Sequence, residues 1–370
     1  MITIFIERNI AQALEYINSI KDSKSLQVFF LLDPKARGPR KENEMNNFNF
    51  LKSEVPSIQI VAPLDLDQYK TEDNYYFGNN AFDEQKITSN ISAHLGLQNR
   101  MFDHLDTKDL KSFTPFRKKV EEQLPNRYID NIYQPSDQFV LSELSYYFEE
   151  THLAKKYFEI RNGALGRDYS TKFSVHLASG RLNVRFLYNY LKDYEEKYGA
   201  NKSTYWIQFE LLWREFFYWS YQKYGKRYFS KNGIHGSEDY NRNIKGPGYR
   251  ALFKSDPFMT SVLNELTHSG FISNRFRQVF ASSLINKYKI DWRLGAILFE
   301  HYLIDYDVYS NWGNWQYLAG VGHDPRGLRL FNVTKQLNDH DPECEYIKHW
   351  SDWSDVKKIR MELDIIYPQM

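Results

Sequence analysis

DYDVYSNWGNW (305–315) brings two aspartates, the amide of Asn311 and two tryptophans into one apolar neighbourhood. Asp305 and Asp307 are costly there unless each is paired or hydrogen-bonded. Arg277, in NRFRQ (274–278), is the evident partner for one of them. Two carboxylates could also serve a metal, but His301 and His323 lack ligand spacing, so no metal is expected. Around this stretch the chain keeps helical spacing, as in STYWIQFELLWREFFYWSYQKYG (203–225) and FISNRFRQVFASSLINKY (271–288). Gly, Pro and Asn clusters punctuate these runs, notably KNGIHGSEDYNRNIKGPGY (231–249). From about Ser112 onward the chain reads as all-α.

Upstream the pattern changes. MITIFI (1–6), LQVFFLL (26–32) and SIQIVA (57–62) read as buried strands, with helical spacing in IAQALEYINSIK and MNNFNFLKSEV between them. A β-α-β-α-β order implies an open parallel sheet with right-handed crossovers. A further strand is expected near Arg100–Asp103, which still leaves fewer than the five or more of a usual doubly wound sheet. The expected fold is therefore an α/β N-terminal domain with an abbreviated parallel sheet (1–105), followed by a larger all-α domain (106–370). The segment 83–116 carries the chain between them.

Composition narrows the function classes. Aromatic residues reach 17 %, with 28 Tyr, 26 Phe and 8 Trp. Such rings mostly fill cores, but they also suit stacking on a flavin or on nucleobases. A net charge of +1 excludes a generally basic DNA coat, though not a local basic groove. Cys344 is the sole cysteine, which excludes an intramolecular disulfide and a thiolate metal cluster and fits a reducing compartment. No apolar run approaches the ~18 residues that span a membrane. MITIFI meets Glu7 and Arg8 at once, so it reads as a strand, not a signal peptide. A cytoplasmic location is expected.

Two further constellations carry chemistry. NGALGRDYSTKFS (162–174) follows a Gly-rich turn with Ser170, Thr171 and Ser174, hydroxyls that suit phosphate oxygens at a helix start or simply cap it. In FELLWREFF (209–217), Glu210, Trp213 and Arg214 share one helical face. A carboxylate, a flat ring and a guanidinium could hold a base and its phosphate. They could equally belong to an amphipathic helix whose Trp packs inward while Arg and Glu pair outside.

Taken in order, these motifs resemble the photolyase and cryptochrome family, and within it the DASH branch. The resemblance rests on FTPFRKKVE (113–121), RNGALGRDYSTKFS (161–174), STYWIQFELLWREFF (203–217), GFISNRFRQ (270–278), DWRLGAILFEHYLIDYDVYSNWGNWQY (291–317), AGVGHDPRG (319–327) and FNVTKQ (331–336). Gln278 and Tyr317 favour the DASH branch. The resemblance implies an FAD-binding all-α domain. Tyr157, Ser170, Thr171, Lys172, Phe173 and Ser174 would hold the diphosphate and ribityl part. Phe271, Asn274, Arg277, Asp305 and Asp307 would surround the ring system and ribityl chain, with Arg277 and Asp305 as an ion pair. Asn311 would face flavin N5. Glu210 would hydrogen-bond a pyrimidine dimer, Trp213 and Tyr317 would stack against or line it, and Gln278 would lie at the pocket. Arg161, Arg214, Arg275 and Arg329 would contact DNA phosphates. Trp315 and Trp292 would pass electrons to the flavin, with Tyr240 or Tyr249 replacing an absent outer tryptophan.

The implied activity is blue-light-driven repair of cyclobutane pyrimidine dimers in DNA, favouring single strands, by electron transfer from reduced FAD. The alternative is a cryptochrome-type photoreceptor without efficient repair. A monomer is the family expectation. The sequence also departs from the family. Its N-terminal domain is shorter, which makes an antenna chromophore doubtful. YRALFKSDPFMTSVLNEL (249–266) replaces a W-x-x-G-x-T-G-x-P-x-x-D-A stretch, and SVHLASG (174–180) replaces SPWLALG.

Overall fold

The computed structural model describes residues 2–6, 10–20, 25–32, 35–61, 73–77, 93–94, 99–130, 132–135, 137–235, 248–324 and 328–366. The N-terminal region alternates strand and helix: β1 (Ile2–Ile6), α1 (Ile10–Ile20), β2 (Leu26–Leu31), α2 (Gly38–Glu54) and β3 (Gln59–Val61). Two more strands follow, β4 (Asp73–Phe77) and β5 (Ala93–His94). All pair in parallel, in the order β3-β2-β1-β4-β5, with Ile4 opposite both Val28 and Tyr75. The order reverses direction beside β1, the arrangement of a doubly wound sheet. Its core joins Ile4, Ile6, Val28 and Phe30 to Ile10, Leu14, Phe48 and Leu51 from the two helices.

The sheet differs from expectation in two places: β4 and β5, which were not expected, bring it to five strands, and the strand expected near Arg100–Asp103 is absent. Arg100–Asp103 forms bends, not a strand. Its polar groups bond to the helical layer instead of a ladder. Met101 N donates to Glu215 Oε1 at 3.0 Å, and Arg185 Nε donates to Arg100 O at 3.0 Å.

The helical region has a much larger core running from Met101 to Ile359. Its elements that build the site are α3 (Phe113–Glu121), α4 (Tyr157–Ile160), α5 (Ser174–Ser179), α6 (Val184–Tyr198) and α7 (Lys202–Tyr224). They continue with α8 (Pro257–Ser269), α9 (Asn274–Asn286), α10 (Trp292–Tyr302) and α11 (Val308–Ala319). Local chemistry sets the ends. Asn201 and Thr204 form a capping box at the start of α7, each side chain accepting from the other's backbone N–H at 3.0 Å. Ser273, Asp291 and Asp307 cap α9, α10 and α11 through their side chains.

The two regions are tied through α2. Arg37 N donates to His301 O at 2.8 Å, and Lys35 Nζ meets Glu300 at 2.9 Å. The buried Arg40 guanidinium donates to Glu300 O and lies 4.6 Å from the ring of Tyr306, the residue that separates Asp305 from Asp307 in sequence. No helix among the described residues is long and apolar enough to cross a membrane.

Candidate functional site

A cavity of about 570 Å³ opens between the 161–174 turn, α7, the start of α9 and the 305–318 stretch. That size suits an organic cofactor or part of one. A smaller cavity of about 80 Å³ adjoins it, sharing Asn274, Arg277, Asp305 and Asp307 on their common wall.

One end of the large cavity is built around Asp305. Arg277 Nη2 donates to its two oxygens at 3.0 and 2.9 Å, so the pair expected from sequence forms. Ser174 Oγ donates to Asp305 Oδ2 at 2.8 Å, joining the start of α5 to the cradle. Arg277 Nε donates to Ile272 O at 2.8 Å, which fixes the plane of the guanidinium. Tyr157, Ser170, Thr171, Phe173, Phe271 and Asn274 line the same cavity.

Lys172 stands in the left-handed region (φ 57°), with Nζ 3.6 Å from the Tyr169 ring centre and 4.1 Å from that of Phe271. Burial pulls its ammonium down to about 7, with nearby Glu265 pulling the other way. Glu265, which accepts from Tyr346 Oη at 2.6 Å, is pushed up to about 7 by burial.

Asp307 lines both cavities, yet its carboxylate is already engaged. It accepts from Ser310 N at 2.8 Å as the cap of α11 and faces Arg100 at 3.7 Å. Burial would raise its carboxyl, but Arg100, Arg214 and the cap bonds outweigh that and hold it below the usual range. Arg100 also lies 4.3 Å from the Tyr218 ring. Asn311 is buried against the smaller cavity and donates from Nδ2 to Ala296 O at 3.0 Å.

At the other end, Glu210, Trp213, Gln278 and Tyr317 line the large cavity together. Trp213 stacks on Phe113 at 3.7 Å and 9°, and meets Tyr317 edge-on at 5.9 Å. Glu210 pairs with Arg161 at 2.7 Å, not with its helix neighbour Arg214. Burial raises the Glu210 carboxyl while Arg161 lowers it. Arg275 donates to Asn162 Oδ1 at 3.3 and 3.2 Å, and Arg329 donates to Tyr317 Oη at 2.5 Å.

Arg214 departs from the surface role expected for it. Its side chain is only 10 % exposed and Nη1 donates to Asn99 O at 2.8 Å. Burial, with Arg100 beside it, pulls the guanidinium down to about 10. It stabilises the connector and the Asp307–Glu215 carboxylates instead of standing at the rim.

Trp315 and Trp292 are fully buried. The Trp315 ring packs so closely on Gly295 that a Cβ there would stand 2.2 Å from Cη2. Trp292 meets Trp312 edge-on at 5.6 Å, and its indole donates to Lys231 O at 3.0 Å. Tyr240 lies outside the described residues; Tyr249 is half-buried and donates to Leu294 O at 3.2 Å. Sequence reasoning missed Trp206, Asn162, Asn314 and Arg100. The first three lie inside quoted motifs, whereas Arg100 gives no local signal because its partners come from distant helices.

Among the described residues, Arg161 Nε and Arg214 Nη2 are buried cavity-wall donors without a hydrogen-bond partner. With the Arg277–Asp305–Ser174 cluster they fit a polyanionic, aromatic cofactor such as FAD. Residues 206–358 match the family described as FAD binding domain of DNA photolyase. A cryptochrome DASH from Vibrio parahaemolyticus is 49 % identical over 205 residues, 54 % of this chain and 45 % of that relative. A cryptochrome DASH from Gloeobacter violaceus is 46 % identical over 215 residues, covering 57 % and 42 %. The chain thus spans about half the length of these curated relatives. The crystal structure of a Synechocystis cryptochrome superposes with a TM-score of 0.78 at 28 % identity, over 95 % of this chain and 88 % of that one. A class III photolyase from Agrobacterium tumefaciens shares the fold, with a TM-score of 0.74 at 17 % identity over 94 % and 86 %. Over residues 206–358 the chain is thus similar to the FAD-binding domain of DNA photolyase, and its fold is similar to that of the cryptochrome and photolyase structures.

Proposed function

We propose that the chain holds FAD in the large cavity and splits cyclobutane pyrimidine dimers in DNA under blue light, favouring single strands. One observation carries this reading: the Arg277–Asp305–Ser174 cluster and the Glu210–Trp213–Tyr317 group line one continuous cavity. A cofactor at the first end and a base pair of rings at the second would be neighbours with no protein wall between them. Reduced FAD, when bound, supplies a light-excitable one-electron donor.

The chain's own groups do the rest. Ser170, Thr171 and Lys172 offer hydroxyls and a cation to diphosphate oxygens, while Ser174, whose proton goes to Asp305, ties the phosphate turn to that carboxylate. Arg277, held by Asp305, presents charge beside the ring system without being free to swing. Asn311 is anchored through Nδ2 to Ala296 O on the adjoining smaller cavity, where its amide would attend the ring system. Glu210, held by Arg161, hydrogen-bonds the dimer, and Trp213, backed by Phe113, gives it a flat face. Extruding a damaged or unpaired base costs less than extruding a normal pair. Arg275 and Arg329 serve backbone phosphates, which position without reading sequence. Trp315 and Trp292 form the inner electron path, with Trp312 in edge contact with Trp292. We further assign residues 1–105 and 106–370 to two domains, and a monomer in the cytoplasm.

Reconstitution tests this reading. Purified protein incubated with FAD is expected to retain it through gel filtration and to change its flavin absorbance under blue light with a reductant. A colourless protein after reconstitution would refute it.

A further inference from the structure

Beside the cavity mouth, α4 and the first turns of α7 set a row of rings that runs out from the core. Phe158 and Trp206 are 5.2 Å apart at 49°, and Trp206 and Phe209 are 4.3 Å apart at 45°. Phe209 meets Phe113 edge-on at 5.1 Å, and Phe113 backs Trp213 in the cavity. Phe158 and Trp206 lie outside the hydrophobic core cluster and are half-buried.

Cations sit over the faces of these rings. Lys202 Nζ is 3.4 Å from the centre of Phe158, Arg161 is 4.1 Å from Trp206, and Arg117 is 5.7 Å from Phe209. Exposed Lys156 stands next in sequence to α4. The acidic groups nearby are already engaged. Glu210 is paired with Arg161, Glu121 accepts from Tyr205 Oη at 2.7 Å, and Glu159 accepts from Ser203 Oγ at 2.9 Å. Trp206, Phe209 and Arg161 also line the cavity, so the row is continuous with it.

We propose that the Phe158–Trp206 row is a stacking track for unpaired bases flanking the nucleotides held in the cavity. It deepens the function proposed above and rests on it. The chemistry selects a single nucleic-acid strand. Rings with cations beside them offer stacking and charge together, and stacking on aromatic side chains tolerates any base. Bases inside a duplex are covered by their neighbours and cannot offer a face. An apolar protein surface would gain nothing from the cations.

The test uses FAD-loaded protein and three fluorescent probes: a dimer-containing single strand with flanks on both sides, the same strand with abasic flanks, and the dimer dinucleotide alone. Loss of one base–ring stack corresponds to about 5- to 150-fold weaker binding. Phe158→Ala and Trp206→Ala are expected to weaken the flanked strand by that order, while Trp206→Phe retains most of it. Abasic flanks should weaken the parent likewise and add no further loss in Phe158→Ala. The dinucleotide should bind parent and Phe158→Ala equally. Lys202→Ala should reduce the salt slope of single-strand binding by about 0.7. An unchanged affinity of Phe158→Ala and Trp206→Ala for the flanked strand, with circular dichroism matching the parent, would overturn the proposal. So would an equal loss with the dinucleotide, because the ring would then act through the cavity. If the dinucleotide fails to bind while flanked strands lose affinity as described, the track stands and the dimer reading falls.

Discussion

Asp305→Asn isolates the charge at the centre of the cradle while keeping its shape. Arg277 and Asp305 approach to 2.9 Å, with side chains 21 % and 4 % exposed. Two unit charges about 4 Å apart attract by about 4 kcal/mol at an effective dielectric of about 20. Desolvation offsets part of this, but breaking a buried pair typically costs about 3–5 kcal/mol, because the remaining charge is left uncompensated. Arg277 keeps some solvent and its bond to Ile272 O, which places the expected loss at the lower end, about 3 kcal/mol. The Ser174 hydroxyl can still donate to the asparagine oxygen, so Ser174→Ala should cost less, about 1 kcal/mol. The assay is a double-mutant cycle of Asp305→Asn and Arg277→Met, read by urea unfolding without cofactor and by flavin retention on gel filtration. A coupling of about 2 kcal/mol or more is expected, with FAD lost from both single variants. Additive effects with full flavin retention would show that the pair neither holds the cradle nor serves the cofactor.

Other outcomes follow from the same geometry. The Glu265 carboxyl, ordinarily near 4.5, is pushed up to about 7, so its stabilisation is present below pH 4.5 and lost as pH rises through 7. At about 1.36 kcal/mol per unit, at most about 3 kcal/mol disappears over that window. Urea midpoints of Glu265→Gln at pH 5 and pH 8 should lack that fall. Lys172, pulled down to about 7, acts with the opposite sign, its stabilisation present above 10.5 and lost as pH falls through 7. Lys172→Met should flatten that alkaline limb. Gly295→Ala would push a methyl to 2.2 Å from Trp315, costing about 1–3 kcal/mol and slowing flavin photoreduction if Trp315 is its electron donor. Arg100→Met would leave Asp307 and Glu215 with one cation fewer. A loss of about 3 kcal/mol in unfolding, with Asp307→Asn suppressing part of it, is expected.

Much of this fold could be read locally. Helical spacing and cap residues such as Asn201, Asp291 and Asp307 announce α7, α10 and α11 because their signals lie within one turn. The Arg277–Asp305 pair was legible because a buried carboxylate demands a partner and NRFRQ supplied one. The sheet was less so. β4 lies in DNYYF, without an apolar run or clean alternation, and β5 is two residues long, so neither stands out in sequence. Arg100–Asp103 looked like a strand because its backbone partners, Glu215 and the 177–185 region, are remote in sequence. Arg214 misled for a related reason. Glu210, Trp213 and Arg214 span about 100° of helix circumference, wide enough that one edge faces the cavity and the other the buried connector.

The central claim is that light drives dimer splitting in this cavity. Its direct test is to mix the reduced, FAD-loaded protein with a single-stranded oligonucleotide carrying one thymine dimer and to quantify restored thymines, illuminated and dark. Restoration is expected under blue light alone, abolished in Glu210→Ala with flavin still bound. Flavin-loaded protein that photoreduces normally yet restores no thymines, in single strands or duplexes, would contradict it.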